Sequence, residues 1–144
     1  MEIKGEWQFC EDGIVRPLML GRFEATSGTW ISARLLIDTG ADRTVLSAAV
    51  LQALRIDPLE AEEGISGLGG MTDAVAIQTK LQLFRETGAP VTFHSYFTAV
   101  TDPSALDLSI LGRDILDLFA LIVDRPGNTV CLLSQRHRYL IIHD

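Results

Sequence analysis

An apolar run, Leu35-Leu36-Ile37, delivers an aspartate directly into Thr39-Gly40-Ala41-Asp42, and no other stretch constrains the chain as tightly. Ile31, Ala33, Leu35 and Ile37 alternate at period two before Leu36 makes the run continuous, so residues 29–37 read as a strand that ends at Asp38. A carboxylate at the end of a buried strand is costly to ionise unless a partner or hydrogen bonds stabilise its charge. The residues that follow offer a small hydroxyl, a glycine that permits unusual backbone angles, and close approach of main-chain N–H groups. This has the character of a site. Asp-Thr-Gly alone is also an ordinary turn, so its meaning depends on what surrounds it.

The flanking sequence is dominated by short strands. Ile14 to Ala25 reads as a strand with an irregular start, given Pro17 and Gly21, and Thr26-Ser27-Gly28 turns it into the Asp38 strand. Thr44-Val45-Leu46 is a short strand, and Ser47 is a plausible N-cap for a helix over 48–54 that Asp57-Pro58 should end. Gly64-Ile65-Ser66-Gly67-Leu68-Gly69-Gly70 then precedes period-two alternation from Thr72 to Phe84. It lacks the Gly-Lys-Ser/Thr ending of a phosphate loop, and a strand follows where a dinucleotide fingerprint needs a helix. The glycine-rich run is therefore expected at a hairpin tip, the hairpin covering about 60–84.

Further on, Val91 to Val100 is a strand, His94 within it being a surface or packed side chain rather than a base. Leu108 to Leu111 is a short apolar strand, and Gly112 leads into a helical turn opened by Arg113 and Asp114. Residues 119–124 and 129–133 flank the turn Arg125-Pro126-Gly127-Asn128, and Tyr139-Leu140-Ile141-Ile142 reads as a last strand. The sum is a mainly β, barrel-like single domain over 1–144 with one or two short helices and no repeats.

Composition narrows the function classes. A net charge of −7 argues against nucleic acid and anionic membrane as partners, and the short basic patch Arg136-His137-Arg138 does not reverse that. Met1 to Glu6 shows no secretory signal, and Arg113, Asp114 and Asp117 break the longest apolar stretch, so a cytoplasmic domain without a membrane span is expected, whether whole or excised from a longer chain. Cys10 and Cys131 form no C-x-x-C pair and are read as reduced, partly buried thiols. His94, His137 and His143 are scattered, so neither a metal nor another cofactor is expected.

Three segments together resemble retroviral-type, retropepsin-like aspartic proteases: Asp38-Thr39-Gly40-Ala41-Asp42, the glycine-rich run with Leu68 between glycines, and Ile110-Leu111-Gly112-Arg113. The resemblance spans about Val15 to Leu133. It implies a single-domain cellular or bacterial member with a retropepsin-like acid-protease barrel. The flap hairpin would close over an extended polypeptide substrate. Asp38, Thr39 and Gly40 would be catalytic. Ala41, Asp42, Val45, Ile65, Ser66, Gly67 and Leu68 would contact substrate, with Val45, Ile65 and Leu68 as apolar walls. The Gly112 strand would cross behind the Asp38 strand in a psi-shaped unit, and Arg113 would pair with Asp42 to brace the loop.

Aspartic proteolysis needs two carboxylates sharing one proton around a water, because like charges that close cannot both ionise cheaply. The chain has no second Asp-Thr-Gly or Asp-Ser-Gly, and Asp102, Asp107, Asp114, Asp117 and Asp124 stand in different contexts. The simplest source is another copy, giving a homodimer with Asp38 of each subunit at a two-fold axis and Thr39 hydrogen-bonded across it. Two features depart from the viral pattern. Asp114 puts an acid beside Arg113, either to share the arginine or to cap a helix, and Met1–Cys10 and Ser134–Asp144 have no match to the viral terminal strands. Other readings stay open: an inert dimerisation or peptide-binding module of this fold, an unrelated β domain, and an Asp-nucleophile phosphotransferase. The last is disfavoured because Lys4 and Lys80 are the only lysines.

Overall fold

The computed structural model describes residues 1–67, 70–134 and 140–142, with side chains described outside 60–70. Eleven strands and two short helices follow one another as β1 (Glu2–Lys4), β2 (Glu6–Phe9), β3 (Val15–Glu24), β4 (Trp30–Ile37), β5 (Val45–Leu46), α1 (Ala48–Leu54), β6 (Glu60–Gly67), β7 (Gly70–Phe84), β8 (Pro90–Val100), β9 (Ser109–Leu111), α2 (Arg113–Leu116), β10 (Ala120–Asp124) and β11 (Thr129–Leu133). Eight strands form one sheet in the order β2-β3-β4-β9-β5-β8-β7-β6, and an additional β3–β7 pairing closes the inner six into a barrel. Closure removes the exposed edges that an open sheet of this size would carry. A second sheet, β1-β11-β10, packs beside it.

The period-two pattern of β3, β4 and β7 sends Met19, Phe23, Leu35, Ile77, Leu81 and Leu83 into one core, where Phe23 meets Phe97 edge-to-face at 5.7 Å. Gly21 is required by the closure. It pairs with Leu83 across β3–β7, and a Cβ there would lie 3.1 Å from both the Gln82 carbonyl and Leu35 Cδ1. The close approach of two strands explains a glycine inside an apolar strand.

Helix α1 has the expected bounds, capped by Ser47 and running to Leu54, and is closed by Arg55 in a left-handed conformation at φ 55°, ahead of Asp57-Pro58. There the turn between β3 and β4 takes up the orphan carbonyls: Thr26 N–H donates to Leu54 O (3.1 Å) and Thr26 Oγ1 to Arg55 O (2.8 Å). The N-terminus, which shows no period in sequence, forms two strands, β1 on β11 and β2 on β3. One expectation needs correction: Leu140, Ile141 and Ile142 are not in a strand and stand exposed, whereas Tyr139 and the basic patch Arg136-His137-Arg138 lie outside the described residues. The glycine-rich hairpin is present as β6–β7, with a register shift between Glu62 and Ile65.

Candidate active site

The site is assembled where β4 and β9 run parallel, with Leu35 opposite Ser109 and Ile37 opposite Leu111. That register carries one step further: Asp38 N–H donates to Leu111 O at 3.2 Å. The chain then folds back on the carboxylate, Gly40 N–H donating to Asp38 Oδ1 (2.9 Å) and Ala41 N–H to Asp38 O (3.2 Å). Gly40 does not use a left-handed backbone. Its value is close approach, since a Cβ there would lie 3.2 Å from Asp38 Oδ1. Asp38 is half-buried, whereas Thr39 and Gly40 are exposed beside it.

The second half of the unit locks onto the first. Arg113 N–H donates to Ala41 O (2.8 Å) and Asp114 N–H to Asp42 O (3.2 Å), so the start of α2 is pinned on the Asp38 loop. Arg113 and Asp42 also form a side-chain ion pair through Nη2 and Oδ1. Both side chains are largely exposed, 48% and 80%. Screening therefore limits the pair to about 0–1 kcal/mol, and its main effect is to orient the two groups. Gly112 is fixed by sterics: a Cβ would sit 2.4 Å from the carbonyl carbon and oxygen of Arg43.

Beneath the loop lies a polar knot. Asp114 Oδ1 accepts from Thr44 N–H (2.9 Å), Thr44 Oγ1 (2.7 Å) and Ile115 N–H (2.9 Å). Thr44, wholly buried, in turn accepts at Oγ1 from Gly112 N–H at 3.2 Å. Ser109 Oγ accepts from Ser47 N–H at 3.0 Å. Asp114, within the first turn of α2, thus clamps Thr44, while the Arg113 side chain pairs with Asp42. Thr44 and Ser109 were not visible as site residues in sequence. A buried hydroxyl beside an apolar strand carries no signal until its partner is known.

The other expected residues are placed as follows. Ala41 is half-buried and Asp42 exposed, both on the loop. Val45 lies on β5 between Thr98 of β8 and Ile110 of β9 and is 6% exposed in the single chain. Ile65, Ser66 and Gly67 lie on β6 opposite Thr72, Met71 and Gly70. Leu68 is outside the described residues. Among the described residues no carboxylate is hydrogen-bonded to Asp38 and no cluster of His, Cys, Asp and Glu could hold a metal. No helix among them is long and apolar enough to cross a membrane.

Comparison with known proteins follows the same segments. A family model described as aspartyl protease matches residues 26–115, which include the Asp38 loop, the β6–β7 hairpin and the Gly112-Arg113 segment. The fold is similar to that of a retropepsin-like aspartic protease from Rickettsia conorii, with a TM-score of 0.58 and 18% identity over 92% of this chain and 88% of that one. Similarity also extends to EIAV protease in complex with the inhibitor HBY-793, at TM-score 0.48 and 26% identity over 71% of this chain and 86% of the other. The retroviral protease-like domain of Ddi1 from Leishmania major aligns at TM-score 0.48 and 17% identity, covering 81% and 94%. No curated protein sequence matches the chain. The matched model covers more than half of the residues, and with the mainly β barrel it establishes that this chain belongs to the aspartyl protease family and has a retropepsin-like fold.

Proposed function

We propose that the chain is an aspartic endopeptidase that works as a homodimer, with Asp38 of each copy flanking one water. The observation that carries this reading is a half-buried Asp38 carboxylate accepting from Gly40 N–H on a loop pinned by α2, with no second carboxylate from the described part of the same chain bonded to it. A binding module has no need of such a group.

The unprotonated Asp38 takes a proton from the water as its oxygen attacks the scissile carbonyl carbon, while the protonated Asp38 donates to the carbonyl oxygen. A gem-diol forms. Its breakdown transfers a proton to the amide nitrogen, the C–N bond breaks, and the new acid and amine leave with the pair again holding one proton. The exposed Thr39 would bond across the axis, and Ala41 and Asp42 would border the cleft. Ile65, Ser66, Gly67 and Leu68 would close over an extended polypeptide as a flap. Gly112 and Arg113 support the loop, and Val45 would be an apolar wall. No cofactor takes part.

The test is cleavage of an unstructured peptide library by the purified chain and by Asp38→Asn from acid to neutral pH, with and without a statine-type inhibitor, and sedimentation in parallel. Product ions that disappear in the variant and with inhibitor are expected. A dimer that cleaves nothing at any pH would instead leave an inert peptide-binding module of the same fold.

A further inference from the structure

The outer face of β3 and β4 holds a groove of about 490 Å³ that does not include Asp38. Its floor and rim include Leu20, Arg22, Arg34, Phe84, Asp107 and Leu108. The β3–β4 register sets Leu20 opposite Arg34 and Arg22 opposite Ser32, so these four side chains share one face. Arg22 and Arg34 occupy the diagonal of that square, about 7–8 Å apart at the backbone.

Arg22 is held in position. Its Nε donates to Gln82 Oε1 (2.8 Å), Gln82 Nε2 donates to Thr92 Oγ1 (3.0 Å), and the guanidinium carbon lies 4.9 Å from the Trp30 ring and 5.0 Å from the Phe84 ring. Arg34 Nη1 donates to Gln8 Oε1 at 3.3 Å. Neither arginine is paired with a carboxylate among the described residues, unlike Arg16, Lys80 and Arg113. Amide partners orient a guanidinium without neutralising it. In a chain of net charge −7, this is a built cationic surface.

From this juxtaposition of Arg22 and Arg34 on one face of an apolar groove, we propose that β3 and β4 carry a docking site for an acidic, leucine-bearing polypeptide segment. In an extended segment, side chains two apart point the same way and repeat at about 6.6 Å. An acidic segment lying along this face can offer one carboxylate to each guanidinium group. Leu20, 48% exposed, together with Phe84 and Leu108 supplies apolar contact for a leucine placed two residues beyond an acid, on the same side of the segment. Asp107 on the rim opposes the acids and limits affinity. Arg34 lies roughly 13 Å before Asp38 along β4 at about 3.3 Å per residue, while the far end of the groove reaches Ser47 and Ser109 beneath the loop, and Asp38 itself does not line it.

The probe is an N-terminally fluorescein-labelled Glu-Ser-Glu-Ser-Leu-amide, whose two acids and leucine share one side when extended, titrated by anisotropy against the Asp38→Asn chain, which cannot consume it. Saturable binding that weakens with salt is expected. Arg34→Gln, at an exposed position, should weaken it about 5-fold and Arg22→Gln at least as much, whereas Arg22→Lys should recover part of the loss and Asp107→Asn should tighten binding about 2- to 3-fold. No saturation at low salt, equal binding of the Gln-Ser-Gln-Ser-Leu analogue, or indifference to Arg34→Gln would overturn the proposal. Displacement by a statine-type inhibitor would place the peptide at Asp38 and refute it. Displacement by equimolar inorganic phosphate would reduce the groove to a simple anion site.

Discussion

Asp38 and Asp114 belong to one knot of chain yet face opposite demands. Asp114 Oδ1 accepts three hydrogen bonds, from Thr44 N–H, Thr44 Oγ1 and Ile115 N–H, and so is committed to holding the loop. Asp38 accepts one, from Gly40 N–H, and keeps oxygen lone pairs available beside exposed Thr39 and Gly40. A carboxylate surrounded by donors acts as structure. One left under-satisfied at a surface is available to a proton, a water or a second carboxylate. The arginines repeat the contrast: Arg113 is neutralised by Asp42, whereas Arg22 is oriented by Gln82 and left charged.

The strongest way to separate chemistry from stability is at Asp38 itself. Asp38→Asn should lower kcat/KM in peptide cleavage by about 100- to 10,000-fold while leaving the denaturant midpoint almost unchanged. A large loss of stability in that variant would erase the distinction between the two acids. Gly112→Ala should act in the opposite way. Its Cβ meets the Arg43 carbonyl at 2.4 Å, and overpacking against backbone costs about 1–3 kcal/mol or more in chemical unfolding.

Asp114→Ala orphans the N–H and hydroxyl donors of buried Thr44, Ile115 N–H keeping Gly112 O, and should cost about 2–3 kcal/mol in the same measurement, whereas Asp114→Asn keeps an accepting oxygen and should lose about 1 kcal/mol or less. Equal losses would show that charge rather than hydrogen bonding secures the knot. Arg113→Gln breaks only an exposed pair, so its stability cost should stay within about 1 kcal/mol, and any larger fall in kcat/KM would report a displaced loop.

A weaker signal is a pH dependence far from the site, at a third aspartate that neither catalyses nor braces the loop. Two hydrogen bonds from Arg16, at 2.8 and 2.6 Å, lower the Asp12 pKa from 3.8 to about 2. A depressed folded-state value means that the contribution is present above pH 3.8 and is lost as pH falls through about 2. Thermal unfolding of the parent chain and Asp12→Asn should therefore differ slightly near neutral pH and converge at the acid limit.

Much of the site was legible because its signals are local. Asp38 follows an apolar alternating strand, Ser47 precedes a run of helix formers, and Gly112-Arg113 follows an apolar triplet. Each feature appears where expected, including the Arg113–Asp42 pair. The features that stay hidden or are misplaced depend on partners distant in sequence. Glu2-Ile3-Lys4, too short to show a period, carries no expectation and becomes a strand only against Cys131–Leu133. Leu140-Ile141-Ile142 has strand-forming residues but no strand.

Local chemistry was therefore enough to specify a mainly β chain with an aspartate presented at a strand end and a braced loop to hold it, because side-chain periodicity and turn preferences act over a few residues. It could not specify that β3 and β7 close a barrel over Gly21, that Thr44 is the anchor for Asp114, or that Arg22 and Arg34 share a groove. Those outcomes belong to the assembled fold and rest on contacts between segments far apart along the chain. Their energies exist only once the strands have found their register.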